Sequence, residues 1–263
     1  MIESFLIKPF LALTLITLSC CLLGVFVLWK RLAYFGDGLS HSILLGFTLG
    51  VIFDANQISA LITFALFFAI LVGLAAKNSY FSKDTIIAIS SYFCISLAII
   101  LNDVFGKNIN LGTYVFGDIL TVGNQEIWAL LAIFIITIFY VILAFRKILL
   151  ININADLAKI DGIKIQFWNL SFLILLAITI ALSVRIVGIL LMTALLVLPA
   201  AIARIFALSA KQMLILSLII GFFTAILSFK IADNYNLAVG SSVIATFCII
   251  FICSLFFKKI ITR

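Results

Sequence analysis

Long apolar segments without a single charged residue run through the whole sequence. Eight of them hold 18 or more residues and a ninth holds 12. A helix rises roughly 1.5 Å per residue, so the longer segments match the roughly 30 Å hydrocarbon core of a membrane. With 66% hydrophobic and only 10% charged residues, the chain is too apolar for a soluble domain. We therefore expect an all-α integral membrane protein, a single transmembrane domain over residues 1–263 with eight or nine helices. In order, the segments are 9–29, 42–53, 55–76, 85–102, 127–145, 165–184, 186–203, 212–229 and 234–257.

The basic residues are distributed unevenly between the two ends of these predicted spans. With nine spans and an outer N-terminus, thirteen of the 17 Lys and Arg residues face the cytoplasm. Such an excess sets the orientation of membrane proteins, so the net charge of +7 reflects topology and does not indicate a nucleic-acid partner. The outer side is net negative, which favours cations there. Its acidic residues are Glu3, Asp54, Asp103, Asp118, Glu126 and Asp233.

The connection between the first two apolar segments contains the only histidine, His41, four residues after Asp37. If a helix begins near Asp37, this spacing puts both side chains on one face. Imidazole and carboxylate groups together suit a divalent ion such as zinc or manganese, and ionisable groups at membrane depth are functional by default. The alternative is that Asp37 is the N-cap of that helix and His41 an ordinary interfacial residue.

The connection 103–126 is the longest on the outer side, and it contains Phe116-Gly117-Asp118, which repeats Phe35-Gly36-Asp37. The repeat is compatible with two related halves or with chance in a Phe-rich chain. Asp118 is a candidate residue at an entrance for cations. Residues 112–123 are apolar enough for a re-entrant segment, which is tolerated only when it packs within protein.

Two residues predict irregularities in the later spans. Arg185 separates two apolar segments that are too long together for one span, so we expect an outer turn there. Pro199 falls inside the second of them, where it must kink the helix or leave a carbonyl without a donor.

The cytoplasmic connection 146–164 carries signals for a short helix. Asn154 is a favourable N-cap, Asp156 suits the first turn, and Gly162 can close the helix. The segment is a docking helix for a cytoplasmic partner or an ordinary connection.

Several kinds of catalytic or ligand-binding site are absent from the sequence. It has no P-loop, no Gly-x-Ser-x-Gly and no His-Glu-x-x-His motif, so we do not expect an enzyme. The five cysteines lie in apolar segments without Cys-x-x-Cys spacing and are interpreted as small apolar residues. They are Cys20, Cys21, Cys94, Cys248 and Cys253.

Four segments, 29–46, 114–120, 156–163 and 187–204, resemble in order and spacing the bacterial ABC permeases that import zinc, manganese or iron. The resemblance covers essentially the whole chain. It implies a type II ABC importer-like bundle, multi-pass in the bacterial inner membrane, with Asp37 and His41 on the metal pathway. It also implies an ATPase-docking segment over about residues 153–166, with the docking residues Asp156, Leu157, Ala158, Asp161 and Gly162.

The partners that this resemblance implies are a cytoplasmic ATP-binding subunit, an extracytoplasmic metal-binding protein and a second copy of the chain. No cofactor is expected to bind stably; the cargo is Zn²⁺, with Mn²⁺ and Fe²⁺ as alternatives, because imidazole and carboxylate ligands serve all three. Two alternative hypotheses for the function are a carrier driven by an ion gradient and a permease for iron chelates or cobalamin. The first is disfavoured by the scarcity of acids within the spans, and the second would need a wide cavity without metal ligands.

Overall fold

The structure, a computed structural model, describes residues 6–75, 80–105, 115 and 117–261. The predicted all-α architecture is confirmed, since the described residues form helices and short connections. The helices are α1 (Ile7–Trp29), α2 (Ala33–Ile52), α3 (Gln57–Ala75), α4 (Lys83–Phe105), α5 (Asn124–Ile153), α6 (Ala155–Ile160), α7 (Ile165–Phe206), α8 (Ala210–Tyr235) and α9 (Val239–Ile261), with a 3₁₀ helix at Ile119–Thr121.

Helix α2 is longer than the apolar segment that predicted it, residues 42–53. It begins at Ala33, with Leu32 as its N-cap residue, and runs for 20 residues. At roughly 1.5 Å per residue it spans about 30 Å, so it is long enough to cross a membrane. Asp37 lies in the second turn and does not cap the helix, so the capping alternative is wrong.

Helix α7 contains 42 residues but does not run straight. Near the N-terminal end of α7, Phe172 packs against Phe26 of α1 with ring centroids 6.0 Å apart. Near the other end, Ala203 shares a buried cluster with Val25 of α1. Phe172 and Ala203 are 31 positions apart, which would separate the two contacts by roughly 46 Å in a straight helix. The chain therefore folds back on itself, and both ends of α7 lie beside the same end of α1.

The reversal takes place at Gly188, whose φ of 81° and ψ of 163° are not helical. This region of backbone space is accessible essentially only to glycine. Arg185 lies three residues earlier, still within the helix, so the predicted turn is real but is displaced to Gly188. The arms of α7, residues 165–187 and 189–206, are each long enough to span a membrane. With the seven other long helices of the described residues, they give the nine spans that the charge distribution favours.

Pro199 lies in the returning arm of α7 and is buried. Within α7, all of whose residues are described, the non-helical dihedral angles occur at Gly188 and not at Pro199. The proline therefore does not produce the change of direction. Because proline cannot donate a hydrogen bond, Pro199 leaves the carbonyl of Leu195 without its usual i+4 donor, and the predicted kink at this residue stays a prediction.

Helices α1, α2 and α7 form the centre of the bundle, and the others surround them. About 72% of the most apolar window of α1 and of α2 is buried, against 22% for α4. Close contact in the centre depends on small residues. A Cβ atom on Gly24 of α1 would overlap the carbonyl of Leu196 in the returning arm of α7.

One end of the bundle is lined with basic side chains. Lys30, Lys83 and Lys159 surround one cavity there, and Arg31 and Arg204 border another at the same end of α1. This is the distribution expected for the cytoplasmic rim. The opposite rim carries the start of α5 and the end of the first arm of α7, and it is therefore the outer one.

Candidate metal site and docking helix

The open face of α2 near its cytoplasmic end carries Tyr34, Asp37 and His41. Their spacing of three and then four residues aligns them on one side of the helix. Phe35, Leu39 and Ile43 occupy the other side and are completely buried, while the side chain of Asp37 is 54% exposed and that of His41 is 33% exposed. The helix therefore presents its two possible metal ligands away from the core.

The two ligand side chains are close but not bonded to each other. His41 Nε2 lies 3.8 Å from Asp37 Oδ1, which is too long for a hydrogen bond. Two donors on one tetrahedral zinc ion lie roughly 3.4 Å apart, given metal–ligand bonds of about 2.1 Å. A small rotation of either side chain would thus allow both to reach one ion.

The second nitrogen of the imidazole ring has no partner among the residues that the structure describes. His41 Nδ1 is buried and has no hydrogen bond within the described part of the chain. Histidines in high-affinity metal sites usually donate this second N–H to an acceptor, which fixes the ring. The ring of His41 is not fixed in this way.

The glycines around Asp37 explain why the motif has this form. A Cβ atom on Gly36 would lie 3.1 Å from Leu196 of α7, and one on Gly38 would overlap Ile87 of α4. These glycines let two neighbouring helices approach α2 closely. The glycines on either side of Asp37 therefore let α2 pack into the bundle, while Asp37 and His41 stay on its open face.

The predicted short cytoplasmic helix is present as α6. The Asn154 side chain accepts hydrogen bonds from the backbone N–H groups of Asp156 and Leu157, and Gly162 follows the helix with a φ of 73°. Ala158 is buried, whereas Leu157 is 50% and Ile160 is 80% exposed. The helix thus directs two apolar side chains away from the protein, and the predicted docking residues lie on it or directly after it.

Asp118 has a local structural role on the outer rim. Its side chain accepts a hydrogen bond from the N–H of Leu120 at 3.2 Å, and its own N–H donates to the carbonyl of Arg185. Asp118 is exposed, as a residue at an entrance would be. Its role at an entrance for cations stays a prediction.

The two Phe-Gly-Asp tripeptides do not have the same local structure. Gly36 is helical, whereas Gly117 has a φ of 69° and lies outside the helices. The repeat therefore does not mark equivalent elements. Residues 106–114 and 116, which include the first three residues of the predicted re-entrant segment and Phe116, lie outside the described residues.

Sequence reasoning did not find an ion pair on the outer rim. Arg185 Nη1 lies 3.4 Å from Glu126 Oε1, and Glu126 Oε2 accepts a hydrogen bond from the N–H of Gly123 at 2.6 Å. The isolated position of Arg185 between two apolar segments was the available signal, but it did not indicate the partner.

We expect the Glu126→Ala variant to lose more stability than Arg185→Ala. Removing the arginine breaks a partly exposed ion pair worth less than about 1 kcal/mol. Removing the glutamate also breaks the hydrogen bond at the start of α5, which adds about 1 kcal/mol. Thermal unfolding of the purified variants in detergent checks this order, and equal losses would show that the hydrogen bond at Gly123 contributes nothing.

Comparison with known proteins identifies the family. The model of the ABC 3 transport family matches residues 2–258. The high-affinity zinc uptake system membrane protein ZnuB of Haemophilus influenzae is 35% identical over 238 residues, which cover 90% of this chain and 91% of that protein. The manganese import system permease protein ScaB of Streptococcus gordonii is 32% identical, over 89% of this chain and 84% of its own.

A solved structure has the same fold. The structure of PsaBC from Streptococcus pneumoniae in complex with Fab aligns with a TM-score of 0.83 and 28% identity, covering 96% of this chain and 91% of that one. These matches confirm the resemblance carried by the four sequence segments. The chain therefore belongs to the ABC 3 transport family and is a multi-pass protein of the bacterial inner membrane.

Proposed function

We propose that the chain is the membrane permease of an ATP-driven importer of divalent metal ions, with zinc as its cargo and Asp37 and His41 on the pathway. The observation that carries this proposal is the pairing of the single imidazole with a carboxylate on the open face of α2. Both ligand types suit zinc, and the 3.8 Å between them is close to the spacing that one ion needs.

A pathway must release its ion as readily as it binds it. Each chain brings two ligand side chains to this face, and in the described residues no group of three or more metal-ligating side chains is found. Two chains with their α2 faces opposed would supply two carboxylates and two imidazoles, with water completing the coordination. The imidazole ring also favours transient binding, because no acceptor among the described residues fixes it in one geometry.

Asp37 and His41 lie roughly 6 and 12 Å along α2 from its cytoplasmic start. An ion at this depth has already crossed most of the bilayer. We therefore place the pair near the inner end of the pathway, whereas Asp118 lies on the outer rim where an extracytoplasmic metal-binding protein would deliver the ion. High affinity for the metal would then belong to that protein.

The energy for transport would come from a separate subunit. The exposed apolar side chains of α6 form a surface of the kind that docks a protein partner, and the family implies a cytoplasmic ATP-binding subunit. The chain itself is then a transport subunit without catalytic residues, and its motion is driven through α6.

Manganese is the second candidate cargo, because one relative is named as a manganese importer. Imidazole favours zinc, whereas carboxylate and water ligands favour manganese. The direct contribution of His41 is therefore the feature on which the preference for zinc depends.

Cellular metal content tests this proposal. A bacterium lacking its own metal importers would carry the chain with its ATP-binding subunit and metal-binding protein, and zinc, manganese and iron would be measured by mass spectrometry. We expect wild type to raise zinc and His41→Ala to reduce the gain about tenfold or more, because losing even a hydrogen-bond partner of a metal ligand lowers metal affinity or activity by about 10–100-fold. Tyr34→Phe, which changes the same face without removing a ligand, should transport as wild type.

Two results would contradict the proposal. A gain in manganese or iron without zinc would show that the cargo is wrong while the permease function stands. Undiminished uptake by an equally expressed His41→Ala variant would show that the pair on α2 is not on the pathway.

A further inference from the structure

We propose that a cavity at the cytoplasmic rim binds the phosphate headgroup of an anionic phospholipid from the inner leaflet. This lysine cavity has a volume of about 300 Å³. It is bordered by the basic residues Lys30, Lys83 and Lys159, by Asn169, and by an apolar wall that includes Leu74 and Leu170. The inference does not depend on metal transport, because lipid binding is measured without it.

The lysine cavity collects positive charge from separate parts of the chain. Lys30 follows α1, Lys83 begins α4 and Lys159 lies on α6. Lys159 is partly neutralised by Asp156 at 3.0 Å, whereas Lys30 donates a hydrogen bond to the Asn169 side chain, a neutral partner. The three acidic residues within three positions of these lysines in sequence, Asp84, Asp156 and Asp161, do not line the cavity. An anion inside it would therefore meet an excess of donors and positive charge.

The charged form of Lys30 is disfavoured in this cavity without an anion. Burial, followed by the charge of Lys83, lowers the pKa of Lys30 to about 8. A bound phosphate would reverse this effect, because an opposite charge favours the protonated amine. Its oxygens are strong acceptors for ammonium donors.

The apolar wall connects the cavity with the lipid-facing surface. Leu74 lines the cavity and is nevertheless 55% exposed. Phe67, Ile70 and Leu71 precede it on α3 at helical spacing and are also exposed. Acyl chains can follow this stripe while the headgroup enters among the lysines. This continuity favours a lipid over a free ion, and basic pockets between helices on the cytoplasmic side are typical lipid sites.

Native mass spectrometry of the delipidated full-length chain in detergent tests the proposal. The probes are phosphatidylglycerol, phosphatidylcholine and inorganic phosphate. We expect wild type to retain phosphatidylglycerol at least tenfold better than phosphatidylcholine, and inorganic phosphate not to displace it. Each lysine near a charged lipid surface contributes about a fivefold change in binding, so the Lys30→Gln, Lys83→Gln double variant should lose at least tenfold.

The matched control is Lys211→Gln, which removes a cytoplasmic lysine at the start of α8, outside the cavity. It should retain phosphatidylglycerol as wild type does. If the double variant does not elute as folded protein, the single Lys83→Gln variant, which changes an exposed side chain, should still lose about fivefold.

Each of the following results would overturn the proposal. Equal retention of the two lipids by wild type would show no headgroup recognition, and displacement by inorganic phosphate would show a site for a free ion. Unchanged binding by the lysine variants would place the lipid elsewhere. Weaker co-purification of the ATP-binding subunit, without any change in lipid binding, would instead make the cavity a contact for that protein.

Discussion

Replacing Gly117 by alanine is expected to destabilise the folded protein by about 2–5 kcal/mol, the sum of a conformational and a steric penalty. Gly117 has a φ of 69°, a left-handed conformation that costs other residues about 1–2 kcal/mol. A Cβ atom there would also lie 2.7 Å from the carbonyl oxygen of Ile186 and would overlap the backbone of Val187 and Gly188. Backbone cannot move aside as a flexible side chain can, so overpacking adds about 1–3 kcal/mol.

Gly162 provides a matched control for this prediction. Its φ of 73° is nearly the same, but a Cβ atom there would meet nothing within 4 Å. Gly162→Ala should therefore cost only the conformational penalty of about 1–2 kcal/mol. Thermal unfolding in detergent should show a Tm lowered by roughly 10 °C or more for Gly117→Ala and by a few degrees for Gly162→Ala. Equal shifts would mean that contact with the turn of α7 is unimportant.

This contact explains two of the segments that carried the family resemblance. The segment around Gly117 packs directly against the turn at Gly188, so both glycines serve the reversal of α7. The sequence indicated that a turn was required, because two apolar segments adjoin at Arg185. It did not locate the turn, because a charge marks where the chain reaches water and a glycine marks where the backbone can reverse.

The predicted spans and the helices differ mainly at their ends. Apolar segments show which residues are surrounded by lipid, whereas helices continue until a cap or a turn stops them. Helix α5 accordingly extends to Ile153, beyond Arg146 and Lys147, and α2 begins nine residues before its apolar segment. Because α2 starts before Asp37, this residue lies within the helix and is not its N-cap.

The two proposed sites differ in how far the sequence could predict them. Asp37 and His41 are local neighbours on one helix, so their spacing was enough to put them on one face. The lysine cavity combines residues from the connection between α1 and α2 with residues from α3, α4, α6 and α7, and such a combination depends on tertiary packing that no local pattern specifies. The pair on α2 was predicted, whereas the cavity emerged only from the structure.

The second large effect is expected at the docking helix. Changing Leu157 and Ile160 of α6 together to aspartate should abolish metal uptake while the chain stays folded. Both side chains are at least half exposed, so their loss leaves the core intact. A partner surface that buries them would have to desolvate two carboxylates, which costs several kcal/mol per unpaired charge. The ATP-binding subunit should then no longer co-purify.

Leu208→Asp is the matched control, because Leu208 is 94% exposed in the cytoplasmic connection between α7 and α8. It adds one negative charge to the same side of the membrane, where the α6 variant adds two, and it leaves α6 unchanged. Normal transport by this control, together with loss of transport and of the complex in the α6 variant, would assign the coupling to α6 specifically. An α6 variant that still binds the ATP-binding subunit but does not transport would separate docking from coupling, with α6 transmitting motion after the partner has docked elsewhere. Full transport by the α6 variant would remove α6 from the mechanism altogether.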